Sequence, residues 1–307
     1  MKIAHFTDLH INSVIRESNI SETIALFENA LKHGADHICI TGDLSHDAEP
    51  EDFEALRYLL DYFSLINGEK ISVVVGNHDI FGGPQKAEDI FTFPQRCRET
   101  DYDGKLEIFT SYFEETFENC IYKPAGKFYP YAKIIDDCLI IGLNSIDKYS
   151  SVKNPFASNG YVDQEQLAEL ESILNGFGKE VRHRIVLVHH HFNKIKNPSS
   201  NMMHYFWQVV EKQTMKLKKK KELLQMFKEH NVSAVLHGHI HSNLEYNRKG
   251  VHFINSGGWI NNAKEGELSY YMVDCRKKSI KTELITMPFS SKKKKYLLQN
   301  ERAYEIS

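Results

Sequence analysis

The chain has 307 residues, of which 41% are hydrophobic and 26% are charged, and its formal net charge is −3. These values are typical of a globular protein with one large or two small domains, and the slightly acidic balance argues against a general nucleic-acid binder. No stretch approaches the roughly 20 apolar residues of a membrane span, and the polar first residues do not fit a signal peptide.

The first third of the sequence alternates predicted strands with predicted helices. The strands span 3–6, 36–41 and 71–75, and helices with apolar residues three or four positions apart span 20–31 and 51–66. This order predicts parallel strands that are joined by right-handed crossovers.

Two segments interrupt the alternation further along the chain. Residues 80–130 are rich in aromatic side chains and predict an irregular insertion, and residues 192–217 predict a second, loop-rich insertion. Around these segments, the predicted strands span 131–136, 138–143, 185–188 and 232–236, and the predicted helices span 163–175 and 218–230.

The end of the sequence predicts an antiparallel meander. Its four strands span 242–246, 251–255, 268–273 and 280–286, and a polar tail follows over 291–307. Because there is no internal repeat and no linker with a shift in composition, we expect one α/β domain over residues 1–290 that contains the two insertions.

Five short polar blocks each follow a predicted strand directly. They are Asp8-Leu9-His10, Gly42-Asp43, Gly76-Asn77-His78-Asp79, His189-His190-His191 and His237-Gly238-His239-Ile240-His241. The carboxyl ends of strands in an open α/β sheet form one rim, where ligands bind, so these blocks should converge in space. We expect Asp8 and His10 to project to the same side of an extended segment, and Gly42 to leave room for an approaching metal.

The side chains of these blocks predict a metal site with mixed oxygen and nitrogen donors. Seven residues are candidate ligands: Asp8, His10, Asp43, Asn77, His189, His239 and His241. No thiolate is among them, and the share of imidazole favours Mn²⁺, Fe or Zn²⁺ over Mg²⁺ or Ca²⁺. Seven ligands exceed what one tetrahedral zinc needs, whereas two metals that share a bridging carboxylate use them all.

In order and spacing, the five blocks resemble the motifs of the calcineurin-like metallophosphoesterase superfamily. The resemblance runs from residue 3 to about residue 260. It implies a four-layered α/β/β/α sandwich, with the C-terminal meander extending the second sheet, and a dinuclear metal centre. Transferred residue by residue, one metal would take Asp8, His10, Asp43 and His241, and the other would take Asp43, Asn77, His189 and His239.

The same resemblance implies the reaction. His78 matches the catalytic histidine of the family, which contacts the phosphate or protonates the leaving oxygen. Hydrolysis would proceed by in-line attack of a metal-bound hydroxide on phosphorus. The residues 187–190 resemble the bacterial cyclic-nucleotide and glycerophosphodiester phosphodiesterases, although His191 stands where that branch has proline.

Three further residues are candidates for holding a ligand in place or facing the substrate, namely His190, His237 and Asp47. His5 lies within a strand and is expected to be a buried core histidine. The five cysteines are odd in number and widely spaced, which fits reduced thiols and a cytoplasmic protein.

Several functions remain open on the sequence alone. The first is a phosphodiesterase acting on a small diester such as a cyclic nucleotide, and the second is a phosphomonoesterase or nucleotide pyrophosphatase with the same metals. A nuclease would need a basic track for the backbone phosphates, which the acidic balance does not favour. An inactive scaffold would be expected to have lost a ligand, and none is missing. The substrate, the native metals and the oligomeric state are left open.

Overall fold

The computed structural model describes residues 1–13, 17–84, 89, 91–177, 180–193, 215–257 and 266–289. The strands in these ranges are β1 (Lys2–Phe6), β2 (His37–Thr41), β3 (Ile71–Val74), β4 (Tyr131–Ile135), β5 (Cys138–Gly142), β6 (His183–Leu187), β7 (Ala234–His237), β8 (Asn243–Arg248), β9 (Val251–Ser256), β10 (Glu267–Asp274) and β11 (Lys281–Pro288). The helices are α1 (Glu17–Lys32), α2 (Pro50–Tyr62), α3 (His78–Phe81), α4 (Phe93–Glu99), α5 (Tyr102–Tyr112), α6 (Gln164–Phe177) and α7 (Lys220–Glu229), with a short 3₁₀-helix at Glu114–Phe117.

The strands form two mixed sheets. The first has the order β11-β10-β1-β2-β3, in which β1, β2 and β3 run parallel. The second has the order β4-β5-β6-β7-β9-β8, in which β5, β6, β7 and β9 run parallel. The carboxyl ends of the parallel strands in each sheet therefore lie at a common edge.

Burial on both faces of the second sheet explains its continuous apolar strands. In β6 and just beyond it, Ile185 and Leu187 join the core that lies between the sheets, while Val186 and Val188 pack with α6 and α7. The helices α1 and α2 contribute to the core of the first sheet. The two sheets flanked by helices confirm the predicted α/β sandwich.

Two polar side chains of β4 tie the second sheet to the first. The buried Lys133 donates hydrogen bonds from Nζ to the carbonyl oxygens of Gly68 (3.1 Å) and Ile71 (2.9 Å), and also to that of Thr116. The hydroxyl of Tyr131 donates to the carbonyl oxygen of Val73 over 2.9 Å. Both side chains thus satisfy backbone groups at β3 and its surroundings.

The prediction that the C-terminal meander extends the second sheet is wrong for its second half. Strands β8 and β9 lie in the second sheet, but β10 pairs with β1 of the first sheet, with Ile3 opposite Val273. The alternation of apolar residues predicts a strand but does not say which sheet it joins. Pairing with β10 covers an edge of β1 that would otherwise be open.

Residues 80–130 also differ from the irregular segment that we expected, because they contain α4, α5 and the 3₁₀-helix. Asp101 caps α5 by accepting a hydrogen bond from the Gly104 N–H. Phe109 and Phe113, four positions apart, pack their rings against Phe53 of α2. The buried aromatic side chains of this segment, including Phe109 and Phe113, form local core, whereas Phe91 is exposed.

Most of the second insertion, residues 194–214, lies outside the described residues, as does the tail over 290–307. The limits of a single domain over residues 1–290 therefore stay a prediction. Among the helices of the described ranges, none is long and apolar enough to cross a membrane.

Candidate metal centre

The seven predicted ligands come from five strand ends and meet between the two sheets. Asp8 and His10 follow β1, Asp43 follows β2, and Asn77 follows β3. His189 follows β6, and His239 and His241 follow β7. The structure brings all seven together in two groups that share Asp43.

The first group joins the ends of β1, β2 and β7. The Nε2 atoms of His10 and His241 face each other at 3.2 Å. His241 Nε2 lies 3.4 Å from Asp8 Oδ1, and His10 Nε2 lies 3.8 Å from Asp43 Oδ2. Asp8, His10, Asp43 and His241 could hold a metal ion.

The second group joins the ends of β2, β3, β6 and β7. His189 Nε2 lies 3.1 Å from Asn77 Oδ1, 3.1 Å from His239 Nδ1 and 3.3 Å from Asp43 Oδ2. Asp43, His189 and His239 could hold a metal ion, and the Asn77 oxygen adds a fourth donor. Imidazole nitrogens and carboxylate oxygens that converge in this way form a donor set that fits a divalent transition metal.

The backbone at these ligands is strained. Five of the seven have positive φ angles: Asp8 (53°), His10 (44°), Asp43 (51°), His239 (74°) and His241 (42°). Residues other than glycine rarely adopt this region, and such conformations concentrate at functional sites. The expectation that Asp8 and His10 lie on an extended segment is wrong, because the chain turns at both residues and so brings their side chains together.

Glycines at three strand ends make room for ligand side chains. A Cβ at Gly42 would lie 2.5 Å from His189 Nδ1, one at Gly76 would lie 2.2 Å from Asp43 Oδ1, and one at Gly238 would lie 2.4 Å from Asp8 Oδ2. Gly42 therefore clears space for the ring of His189, which is itself one of the predicted ligands. Each of these glycines permits a ligand to reach the centre.

Hydrogen bonds from the opposite side orient the ligands. His189 Nδ1 donates to the Thr41 carbonyl oxygen over 2.8 Å, so that its Nε2 atom faces the second group. Asp43 Oδ1 accepts from the His78 N–H at 2.8 Å, which leaves Oδ2 facing both His10 and His189. Asp8 Oδ2 accepts from the Thr7 hydroxyl at 2.7 Å.

Burial and neighbouring charges separate the pKa values of the imidazoles. Desolvation and the adjacent histidines hold the pKa values of His10 and His239 well below 6.5, so both rings are neutral and have a lone pair to donate. Desolvation also acts to lower the pKa of His189, but the Asp43 and Asp8 carboxylates outweigh it and raise the pKa to about 9. Although desolvation opposes it, the interaction with His189, His78 and His10 holds the pKa of Asp43 well below its usual range.

His78 lies beside the first group and is partly exposed. Its ring meets the His10 ring at a centroid distance of 4.5 Å, and its Nδ1 donates to the His46 carbonyl oxygen over 3.0 Å. The Nε2 atom is consequently the nitrogen that remains for a substrate. The His46 ring lies 5.2 Å from that of His78.

The structure places the three remaining candidates in different surroundings. His190 is buried, with Nδ1 2.8 Å from the Ser145 hydroxyl and Nε2 3.3 Å from the Ser158 carbonyl oxygen, and its ring lies against that of His239. The buried His237 bonds through Nε2 to the Tyr246 hydroxyl over 3.1 Å. Asp47 accepts a hydrogen bond from the Asn12 amide over 2.8 Å, in the loop that carries His46.

Two carboxyl groups to which the sequence analysis gave no role hold the loops of the centre. Buried Asp79 accepts hydrogen bonds from the N–H groups of Ser45 and Gly76, each at 2.8 Å. Asp52 accepts from the N–H of Ser13 (2.9 Å) and the hydroxyl of Ser45 (2.9 Å). Asp79 could have been found from its place in the block that contains Asn77, whereas Asp52 lies on α2 outside all five blocks.

The comparison with protein families identifies the chain. The model of the calcineurin-like phosphoesterase family matches residues 1–243. The chain belongs to this family. Calcineurin-like phosphoesterases are metal-dependent hydrolases, and the two groups of donors provide this member with a place to bind metal.

Solved structures share the fold of this phosphoesterase at low sequence identity. A dimetal phosphatase from Danio rerio is 13% identical, with a TM-score of 0.57 over 94% of this chain and 99% of that protein. A purple acid phosphatase from yellow lupin seeds (Lupinus luteus) is also 13% identical, with a TM-score of 0.55 over 94% of this chain and 53% of that protein. No curated protein matches the chain.

Proposed function

We propose that this calcineurin-like phosphoesterase hydrolyses a small phosphodiester at a dinuclear metal centre. The observation that carries the proposal is the convergence of seven oxygen and nitrogen donors in two groups around Asp43. Asp8, His10, Asp43 and His241 would hold one metal, and Asp43, Asn77, His189 and His239 would hold the other. Mn²⁺, Fe and Zn²⁺ suit this donor set.

When bound, two such cations supply an activated water at neutral pH and neutralise charge on the phosphoryl oxygens. The residues of the chain prepare the centre for them. The neutral rings of His10 and His239 present lone pairs, while the hydrogen bond from His189 to Thr41 fixes the direction of a third ring. Asp43 directs one oxygen towards both groups, which suits a bridging carboxylate.

His78 is the group that we propose to assist departure of the leaving oxygen. Its Nδ1 proton is committed to the His46 carbonyl, so Nε2 is the atom that exchanges a proton with substrate. The ring lies next to His10 and outside the two groups of donors that share Asp43, although His10, His46 and His78 also lie close enough together to hold a metal ion. Because the two groups around Asp43 already use all seven predicted ligands, we assign His78 to the substrate.

The groups beside the donors favour a diester over a monoester. The rings of His46 and His78 lie against His10 at 5.5 and 4.5 Å. The charged neighbours that act most strongly on the pKa values of His10 and Asp43 are histidines and carboxylates, while an ammonium group, that of Lys220, acts on the pKa of His191. A monoester carries a second negative charge that a guanidinium or ammonium group would stabilise, whereas a diester carries only one.

The alternative is a phosphomonoesterase that uses the same centre. Two of the solved structures that share the fold are phosphatases, the dimetal phosphatase and the purple acid phosphatase. At 13% identity, this likeness extends to the fold and not to substrate preference.

A panel of model esters tests the proposal. The protein is reconstituted with Mn²⁺, and kcat/KM is measured for bis(4-nitrophenyl) phosphate, 4-nitrophenyl phosphate and 2′,3′-cyclic AMP. The proposal predicts that both diesters are turned over with kcat/KM above that of the monoester. A preference for the monoester would replace the proposal with the phosphomonoesterase, and hydrolysis of none of the three would contradict it.

A further inference from the structure

Gly83 lies against the imidazole of His78, two residues beyond the end of α3. A Cβ at this position would lie 2.2 Å from His78 Cε1 and 2.5 Å from His78 Nδ1. The next nearest atom is His46 Cε1 at 3.3 Å. The first two distances are too short for any side chain at Gly83 to coexist with the present position of the His78 ring.

The contact with His78 is the reason for glycine at this position. The φ angle of Gly83 lies outside the positive region, unlike that of its neighbour Gly82 at 66°. A positive φ angle is therefore not the reason for glycine at this position. Of the three nearest atoms to the added methyl group, none belongs to the backbone.

An arginine from the first insertion holds this backbone in place. Arg96 of α4 donates a hydrogen bond from Nη2 to the Gly83 carbonyl oxygen over 2.6 Å. Its guanidinium also lies over the Phe93 ring, 4.8 Å from the centroid. Since Phe93 is buried, its ring supports the guanidinium of the otherwise exposed Arg96 beside Gly83.

We propose that Gly83 and Arg96 are positioning residues for His78. The Gly83 backbone and the His46 carbonyl form a seat for the imidazole, and Arg96 holds the Gly83 side of that seat. The inference rests on the proposed function, because that function gives the His78 ring its role in assisting the leaving oxygen. Geometry of this kind matters for proton transfer, which requires the imidazole nitrogen within hydrogen-bond reach of the departing oxygen.

The experiment compares Gly83→Ala, His78→Ala and the double variant as full-length, Mn²⁺-loaded proteins. Each is measured with a diester whose alkyl leaving group needs a proton and with bis(4-nitrophenyl) phosphate, whose leaving group does not. Metal content and thermal midpoint are recorded for every variant. Gly176→Ala is the matched control, because Gly176 lies within α6 and its added Cβ meets nothing within 4 Å.

We expect Gly83→Ala to retain its metals and to lower kcat for the alkyl diester at least tenfold, with KM little changed. Turnover of bis(4-nitrophenyl) phosphate should change much less. In the His78→Ala background, Gly83→Ala should cause no further loss, because the methyl group enters the space that the ring has left. For the same reason, the double variant should have a thermal midpoint no lower than that of His78→Ala.

Additive losses of kcat in the double variant, or equal losses of kcat for both diesters, would overturn the proposal that Gly83 positions His78. So would full activity of Gly83→Ala on the alkyl diester. If His78→Ala itself keeps full activity on that diester, the role of His78 in the proposed function fails, and this outcome is separate from the first three.

Arg96→Met tests whether the hydrogen bond from Arg96 to the Gly83 carbonyl oxygen helps to position His78. It should lower kcat for the alkyl diester several-fold, with Arg96→Lys restoring part of the loss through a new bond to the Gly83 carbonyl. Arg98→Met, at an exposed arginine on the same helix, is the control and should leave kcat unchanged. Equal effects of Arg96→Met and Arg98→Met would overturn the role of Arg96.

Discussion

Asp43 is the residue that both groups of donors share, and its surroundings explain why it can serve two cations. One oxygen accepts the His78 N–H while the other lies 3.3 Å from His189 and 3.8 Å from His10. The side chain is buried, and nearby histidines keep its pKa low, so it stays ionised. A carboxylate in this state offers a negative charge to two metals.

We predict that Asp43→Ala loses bound metal and activity together. His78→Ala should keep its metal content and fold while kcat for a poor-leaving-group diester falls about 10²–10⁴-fold. Elemental analysis, circular dichroism and steady-state kinetics on both variants check this. Release of metal by His78→Ala would show that His78 is a ligand and would remove its proposed catalytic role.

Metal binding should depend on pH through His189. Its pKa in the metal-free protein is raised to about 9, so a cation must displace a proton from this ring at neutral pH. Although burial opposes it, the Asp8 carboxylate also raises the pKa of His241. The apparent affinity for the metal should therefore increase by at least about tenfold per pH unit between pH 6 and 8 and level off near pH 9. Competition titrations with a chelator of known affinity measure this slope. An affinity that is constant between pH 6 and 8 would contradict the prediction.

Much of the site could be predicted at the level of residues, but its geometry could not. The position of Asp8, Asp43 and His189 directly after apolar runs was enough to predict that these residues lie close together. The positive φ angles of Asp8 and His10 could not be foreseen, because the sequence does not show where the backbone leaves the extended conformation. The role of Gly83 depends in the same way on where a distant ring lies.

The link between β4 and β3 is the clearest case in which one element stabilises another through polar groups. Lys133 satisfies three backbone carbonyls in a buried position, and burial lowers its pKa to about 8. The cysteines near its amine, Cys120 and Cys39, partly oppose that shift. A buried ammonium of this kind is costly to desolvate but costlier to remove, because its acceptors would be left unpaired.

We predict that Lys133→Met lowers the free energy of unfolding by about 2–4 kcal/mol at pH 7. The unfolded chain binds the lysine proton up to about pH 10.5, whereas the folded chain releases it near pH 8. The free energy of unfolding of the wild type should therefore rise with pH between these values. The difference in this free energy between the wild type and Lys133→Met should grow from pH 8 to pH 10. Denaturant titrations at several pH values measure the difference. A difference that shrinks over this range would contradict the shifted pKa.

Secondary structure could be predicted where the apolar pattern was regular. The helix expected at 163–175 appears as α6 (Gln164–Phe177), and the strand expected at 71–75 appears as β3 (Ile71–Val74). The partner of β10 could not be predicted, since β10 lies far along the chain from β1 and nothing local to either strand specifies the pairing. The same limit applies to α5, whose aromatic residues reveal their core face only next to Phe53.

At the scale of the whole molecule, the metal centre lies where the two sheets meet and joins their strand ends. His189 and His239 follow strands of the second sheet, while Asp8 and Asp43 follow strands of the first. Cations shared between these residues would hold the sheets together in addition to the apolar core.

Removal of the metals should therefore lower the stability of the whole molecule. A ligand present at 1,000 times its Kd stabilises the folded state by about 4 kcal/mol. Removal of such a ligand should lower Tm by on the order of 10 °C. Differential scanning calorimetry of chelated and Mn²⁺-reconstituted protein measures this change. Asp43→Ala should show little dependence on added Mn²⁺, and a wild-type Tm that does not respond to the metal would contradict a centre between the sheets.

Anomalous diffraction from crystals of the Mn²⁺-reconstituted protein would show whether two metals share Asp43. We predict two anomalous peaks per chain, about 3.5–4 Å apart, with the Asp43 carboxylate between them. One metal would also be bound by Asp8, His10 and His241, and the other by Asn77, His189 and His239. A single peak, or two peaks of which neither contacts Asp43, would rule out a dinuclear centre at this carboxylate.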